Sequence, residues 1–324
     1  MARKKKFKNN AGVQVLIGIV ALVAIAFLGN LHDTNLLDSL SEVVQTDSLE
    51  SVDNSNNTST VTNVDGDLII DYIDVGQADS ILIRQGDATM LIDGGTSECK
   101  DNLLAFLSDK NIDKFEYVVG THTHEDHIGS LDDVVNRYDF DTFLFPNTTA
   151  TTKTFENLVV AVQQKNKKFT VPQVGQEYSL GEAKFQILAP NGDDYSSANN
   201  YSIVIKLTYG SNTFLFTGDA ESISESEILD KGFNVSADVL KVGHHGSTTS
   251  TSKEFLDAVS PKYAVISVGK DNSYNLPTKT TMEKLQEKNI PVYRTDEQGT
   301  IECISDGTNI TFNVEPGSYA YMED

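Results

Sequence analysis

From residue 67 to 314 the chain alternates between short apolar runs and segments with helical spacing. Leu68–Val75, Ser80–Arg84 and Thr89–Ile92 read as three successive strands, with Gly76-Gln77 and Gln85-Gly86-Asp87 as the turns between them. Lys100–Lys110 sets Leu103, Leu104 and Leu107 on one face, as a helix does. Glu116–Val119 is a strand leading into a polar loop, and a helix over Ile128–Arg137 starts just after His127. A strand at Thr142–Phe145 and a helix at Thr154–Asn166 follow. The second half repeats the scheme. Strands at Lys184–Leu188, Ile203–Thr208, Thr213–Thr217, Asp238–Val242 and Tyr263–Val268 alternate with helices at Glu221–Lys231, Ser252–Val259 and Thr278–Asn289. Short strands at Val292–Arg294, Thr300–Ile304 and Ile310–Val314 close it. Two halves of strands followed by helices predict an α/β (α+β) domain with two sheets face to face and helices outside.

Before residue 67 the pattern is different. Residues 1–10 carry Arg3, Lys4, Lys5, Lys6 and Lys8, and residues 11–29 carry no charge at all. At about 1.5 Å per residue, such a run nearly spans a hydrocarbon core. We read residues 11–30 as a transmembrane helix, with the basic end cytoplasmic and the remainder extracellular. The alternative is a cleaved signal peptide, with Ala24-Ile25-Ala26 as the cleavage site and a secreted product. The apolar run is longer than a typical signal core, which favours the anchor. Residues 31–66 are rich in Ser, Asn, Thr and Asp and too poor in large apolar groups to order themselves, so they read as a flexible linker. Residues 67–314 form the expected globular domain, and 315–324 an acidic C-terminal tail.

Charge narrows the partners. The net charge is −22, and five of the 25 basic residues lie within the first eight positions, so the rest is more acidic still. A protein that grips duplex DNA through its phosphates shows a basic face. Outside the N-terminus the nearest approach is Lys165, Lys167 and Lys168, which speaks against strong nonspecific duplex binding. Cys99 and Cys303 lack the spacing of a thiolate metal site and read as structural, with pairing between them left open.

The chemistry concentrates in one stretch. Residues 121–129 read Thr-His-Thr-His-Glu-Asp-His-Ile-Gly and hold half of the six histidines. Imidazole and carboxylate are the ligands of open, hydrolytic metal sites. In an extended segment residues i and i+2 point the same way, so His122 and His124 can grip one ion from one side. Asp126 and His127 follow the turn and face a second position. This spacing predicts a centre of two divalent ions sharing a nucleophile, about 3.5–4 Å apart.

The segment resembles H-x-H-x-D-H, the signature of the metallo-β-lactamase-fold hydrolases. Further blocks fit in order: Leu91-Ile92-Asp93-Gly94-Gly95 before it, Phe216-Thr217-Gly218-Asp219 after it, then Lys241-Val242-Gly243-His244-His245-Gly246-Ser247. With Asp74-Val75-Gly76-Gln77-Ala78-Asp79-Ser80 and Asn199-Asn200-Tyr201-Ser202, the chain most resembles the hydrolase domain of ComEC-type competence proteins over residues 67–305. The resemblance implies a four-layer αββα sandwich and two ions, Zn²⁺ or Mn²⁺. It implies that Asp219 bridges them, although an aspartate there also reads as the N-cap of the helix starting near Glu221. His244 or His245 is expected to complete the second site, with His244 preferred. The other, His245 on this reading, acts with Asp126 and Asp219 in substrate binding or proton transfer. Asp93 is expected to orient a ligand imidazole. Asp79, Gln77, Asn200 and Ser247 are expected at the rim.

Three departures stand out. Ala78 stands where a glycine is usual. No histidine lies between His127 and His244, so Asn200 is considered as a weak amide-oxygen ligand or substrate contact. Leu276 stands before Pro277 where relatives often carry a histidine, leaving Lys279 or Tyr274 as substitutes for a general acid. The functional expectation is a membrane-anchored extracellular hydrolase of phosphodiesters. Lactam, lactone or thioester hydrolysis, or a catalytically weak binding module, are the alternatives.

Overall fold

The computed structural model describes residues 66–321. Its first sheet begins with β1 (Leu68–Tyr72), β2 (Ile81–Gln85), β3 (Ala88–Ile92), β4 (Lys114–Val119), β5 (Asp139–Leu144) and β6 (Phe169–Thr170). The second holds β7 (Glu177–Leu180), β8 (Ala183–Ala189), β9 (Val204–Tyr209), β10 (Asn212–Phe216), β11 (Val239–Lys241), β12 (Tyr263–Ile266) and β13 (Val292–Arg294). The chain then returns to the first sheet with β14 (Ile301–Ser305) and β15 (Ile310–Phe312), giving orders 15-14-1-2-3-4-5-6 and 13-12-11-10-9-8-7. The helices are α1 (Lys100–Asp109), α2 (Glu125–Ile128), α3 (Leu131–Arg137), α4 (Lys153–Gln164), α5 (Ser222–Asp230), α6 (Lys253–Val259), α7 (Lys279–Glu287) and α8 (Thr295–Gln298).

Strand period 2 accounts for the layering. Ile70, Ile81, Ile83, Met90 and Ile92 of the first sheet share one core with Phe185, Ile205, Leu207, Phe214 and Phe216 of the second. The intervening residues Leu82, Leu91 and Val118 are also fully buried, as are Leu103, Leu107, Leu131 and Val134 on α1 and α3. Behind the second sheet, Val204, Leu215, Leu240 and Ala264 pack with Ile228, Phe255, Leu256, Met282 and Leu285 of α5, α6 and α7. Strands buried on both faces read as near-continuous apolar runs, as these do in the sequence.

Each sheet is antiparallel in one half and parallel in the other. Parallel pairing joins β3 to β4 and β4 to β5, and likewise β10, β11 and β12. Their registers align Ile92 with Val119 and Phe216 with Lys241. The loops that follow these strands therefore leave from one edge of each sheet, and they carry Asp93, His122–His127, Asp219 and His244–His245.

Two local features differ from the sequence expectation. The helix expected over Ile128–Arg137 is split between α2 and α3. At the break Gly129 donates its N–H to the Gly95 carbonyl, 2.8 Å away. A side-chain carbon there would collide with the backbone of Thr96 and Ser97, so the close approach requires glycine. The short elements β6, β7 and α8 fall outside the expected ones, because each has too few apolar positions to show a period. Cys99 and Cys303 are buried free thiols. Among the described residues no helix is long and apolar enough to cross a membrane. The span expected at 11–30 and the linker up to residue 65 lie outside the described residues. The last described residues, 315–321, are held to the domain: Gly317 donates to the Val292 carbonyl and the Tyr319 hydroxyl to that of Ile290.

Candidate metal centre

Besides a fully buried trio, Asp79, Asp93 and His127, two groups of ligand-type atoms that share one carboxylate meet at the shared edge of the sheets. One comprises His122, His124 and Asp219; the other comprises Asp126, His127, Asp219 and His245. Within each group the atoms lie within 4.8 Å of one another, and Asp219 belongs to both. His127 Nε2 lies 3.2 Å and His122 Nε2 3.9 Å from Asp219 Oδ2. The rings of His122 and His124 are 4.8 Å apart, so the i, i+2 pair does share a side. Asp219 does not cap α5, whose N-cap is Glu221.

The backs of the imidazoles are held by the protein. His127 Nδ1 lies 2.8 Å from Asp93 Oδ2, and Asp93 also accepts from the Thr121 N–H (2.8 Å) and hydroxyl (2.7 Å). His122 Nδ1 lies 3.1 Å from Thr121 Oγ1 and 3.4 Å from Ser202 Oγ. Ser202 also accepts from the Asp219 N–H at 3.1 Å. This leaves His122 Nε2, His127 Nε2 and Asp219 Oδ1 buried without a hydrogen-bond partner. Buried polar atoms are nearly always satisfied. Three orphans pointing into one small space, with nitrogen and oxygen donors on both sides, fit divalent cations.

Charge tells the same story. Burial works to raise Asp219, but His127, His245 and His122 hold it well below the ordinary carboxylate range. Burial likewise opposes the charged form of Asp126, yet His127 and His245 hold it below its usual range. Burial works to lower His127, but Asp219, Asp126 and Asp93 raise it well above its ordinary value. His245 is raised to about 10, against its burial, by Asp219 and Asp79. His122 goes the other way: burial, then positive His127, hold it well below its ordinary value. The cluster of carboxylates thus demands positive charge, which protons supply when no cation does.

Here the structure departs from the preference for His244. His245 is buried, and its Nε2 lies 3.2 Å from Asp126 Oδ2. His244 is 25% exposed, and its Nε2 lies 3.6 Å from Asp219 Oδ2, outside both groups. Its Nδ1 is 2.9 Å from Thr249 Oγ1. The reason is backbone. The strand ends at Lys241, and both histidines take positive φ, 50° for His244 and 52° for His245. Neighbouring residues in the left-handed region do not alternate as they would in a strand, so both rings turn toward Asp219, His245 from within and His244 from the mouth. Such conformations cost about 1–3 kcal/mol each and persist where surrounding structure imposes them.

Other expectations are redirected. The Asn200 amide oxygen is taken by the N–H groups of Glu221 (3.2 Å) and Ser224 (3.4 Å), and its Nδ2 donates to Glu221 Oε2 (2.9 Å). It secures the start of α5 and has no oxygen to spare for an ion. Ser247 Oγ lies 3.1 Å from Thr249 Oγ1 and so braces the partner of His244. Gln77 accepts from the Gly269 N–H at 3.0 Å. Leu276 is buried in the outer core of the second sheet. Lys279 pairs with Glu283 and lies over the Tyr321 ring, and Tyr274 is 71% exposed, so no contact places either at the cluster. Asp79 is buried against His245 and Lys241. Sequence reasoning missed Thr121, Ser202 and Lys241. For Lys241 the signal was a charge ending an otherwise apolar strand.

The family model for the Metallo-beta-lactamase superfamily matches residues 73–270. The chain is 31% identical over 265 residues to ComE operon protein 3 of Bacillus subtilis (strain 168), covering 76% of this chain and 34% of that protein. It is 29% identical over 231 residues to Competence protein ComA of Neisseria gonorrhoeae, covering 71% and 31%. The chain thus spans about a third of the length of these curated relatives. Among solved structures, a variant of CmlA β-hydroxylase, the Streptomyces venezuelae enzyme, superposes with a TM-score of 0.51. It is 14% identical and the match covers 87% of this chain and 61% of that one, a likeness of fold alone.

Proposed function

We propose, for a chain that belongs to the metallo-beta-lactamase superfamily and so to a family of metal-dependent hydrolases, that it cleaves phosphodiesters at a centre of two divalent ions. The observation that carries this reading is the sharing of Asp219 between two ligand groups, in which His122 Nε2, His127 Nε2 and Asp219 Oδ1 are buried without a hydrogen-bond partner. His122, His124 and Asp219 would hold one ion; Asp126, His127, Asp219 and His245 the other. Ions bound there supply Lewis acidity and make water a competent nucleophile near neutral pH. Nitrogen and oxygen donors without thiolate suit zinc or manganese.

The chain's own groups do the rest. Asp93 and Thr121 fix the His127 ring, and Ser202 fixes Asp219 through its N–H. His124, which is exposed, Asp126, one-third exposed, and His244, one-quarter exposed, are ionisable groups at the mouth that a substrate would meet. His244 is free of both ligand groups and would exchange a proton with the substrate, although burial, and then positive His245, hold it below its ordinary value. The resemblance to ComEC-type hydrolase domains favours a phosphodiester over a lactam. The acidic composition favours short or single-stranded substrates over duplex DNA. We place the domain outside the cell on an N-terminal anchor at residues 11–30.

The test is hydrolysis of bis(p-nitrophenyl) phosphate by the full chain in added Zn²⁺ or Mn²⁺, with metal content measured in parallel. Turnover that follows two bound ions is expected. In Asp219→Ala both ions and turnover should be lost while the fold survives. Hydrolysis of lactam or thioester substrates alone would move the assignment to the carboxyl derivatives. Two bound ions with no turnover on either class would favour a binding module.

A further inference from the structure

Lys241 is fully buried, and its ammonium reaches from the second sheet to Asp79 of the first. The strand explains the direction. Val239 belongs to the core between the sheets and Leu240 to the core behind the second sheet, so period 2 turns Lys241 back toward the first. An unpaired ammonium at such a place costs several kcal/mol. Its partners are Asp79 Oδ2 at 2.9 Å and the Val242 carbonyl at 3.1 Å. Asp79, equally buried, sits in the loop between β1 and β2 of the other sheet. Its second oxygen, Oδ1, has no aligned hydrogen-bond partner but lies 3.3 Å from His245 Nδ1. The Ser267 carbonyl lies 2.9 Å from the same nitrogen. Both neighbours of Nδ1 are acceptors only, so Nδ1 carries a proton and Nε2 is left to face Asp126 and Asp219.

We propose that the buried Lys241–Asp79 pair is a positioning device that, from beneath the site, sets the orientation and proton of His245 and thereby the strength with which the second ion is held. Asp79 supplies the carboxylate behind the imidazole, and Lys241, 2.9 Å from its other oxygen, keeps that carboxylate aimed. The same residue also ties loops together through its backbone: the Asp79 N–H donates to the Asp126 carbonyl (3.1 Å) and its carbonyl accepts from the Gly95 N–H (2.8 Å). Asp93 does the corresponding work behind His127, so each of the two imidazoles of the second group is braced at its Nδ1 by its own carboxylate. Only the Asp79 arm carries a buried counter-charge. The proposal rests on the two-ion reading of the site.

The test uses the full chain and Zn²⁺ alone, titrated against a competing chelator, with melting temperature in EDTA as the measure of fold. Asp79→Asn/Lys241→Met removes both charges and leaves no buried ion unpaired. We expect it to fold, to bind one zinc as the wild type does, and to bind the other about 10–100-fold more weakly. Asp79→Asn alone is the second variant. Its amide oxygen still accepts from Lys241, but its NH₂ opposes the His245 Nδ1–H, and the same selective loss is expected. Unchanged affinity at both sites in either folded variant would reduce the pair to a tie between the sheets and overturn the proposal. So would equal weakening at both sites, or a wild type that binds no zinc. Because the readout is zinc occupancy, a wild type that binds two ions yet cleaves no phosphodiester sinks the substrate assignment without deciding this one.

Discussion

His127 Nδ1 sits 2.8 Å from Asp93 Oδ2, and both side chains are wholly buried. A carboxylate behind a ligand imidazole fixes the ring and raises its basicity. Asp93→Asn is the cleanest probe, because Asp93 has a φ of 59° and asparagine tolerates that conformation well. We expect the fold to be kept and zinc affinity to drop about 10–100-fold. Equilibrium zinc titration checks it, and wild-type affinity in a folded Asp93→Asn chain would refute the role.

His244 is the residue for which structure and sequence part most clearly. Lying outside both ligand groups and partly exposed, it should be dispensable for binding ions and needed for turnover. His244→Gln should retain two ions and lose about 10²–10⁴-fold in kcat, the range typical of general acid–base groups. Loss of an ion in that variant would make it a ligand after all.

Protons compete with metal here, and the sign is fixed. In the metal-free chain His245 keeps its proton up to about pH 10, and His127 is raised well above its ordinary value. Each must release a proton for its Nε2 to bind an ion. Lowering the pH therefore favours the protonated, metal-free chain, and raising it favours the loaded one. Apparent zinc affinity should rise about tenfold per pH unit for each proton displaced, between roughly pH 6 and 8. Titrations at three pH values would show it; affinity independent of pH would mean that the cluster is not protonated in the way described.

Asn200 should matter for stability alone. Its amide oxygen satisfies two N–H groups at the start of α5, and Asn200→Ala leaves them buried without a partner. The expected loss is about 1–3 kcal/mol in denaturant unfolding, with zinc stoichiometry unchanged. A variant that lost an ion at full stability would restore the ligand reading.

These cases show what was legible in the sequence. The loop His122–His127 was readable because its ligands lie within one short segment, and the strand feeding it is an uninterrupted apolar run. Asp219 and the late histidines were readable as blocks that follow strands. What local pattern cannot supply is long-range partnership. Asp79 meets Lys241 across 162 positions, and Asn200 meets α5 across 21 to 24. The choice between His244 and His245 turned on two consecutive positive φ values, which no alternation rule anticipates. Leu276 was rightly noticed as lacking a proton. Its burial in the outer core explains why an apolar side chain suits that place.

The ligands of the second group come from both sheets: Asp126 and His127 follow β4, while Asp219 and His245 follow β10 and β11. An ion held there would be a removable rivet between two halves of the chain that are far apart in sequence. An unfolded chain offers only the histidine loop, so nearly all of the binding energy accrues to the finished molecule. At a free metal concentration one hundred times the dissociation constant that amounts to about 2.7 kcal/mol. Metal supply would then govern how long the folded domain lasts as well as how fast it works.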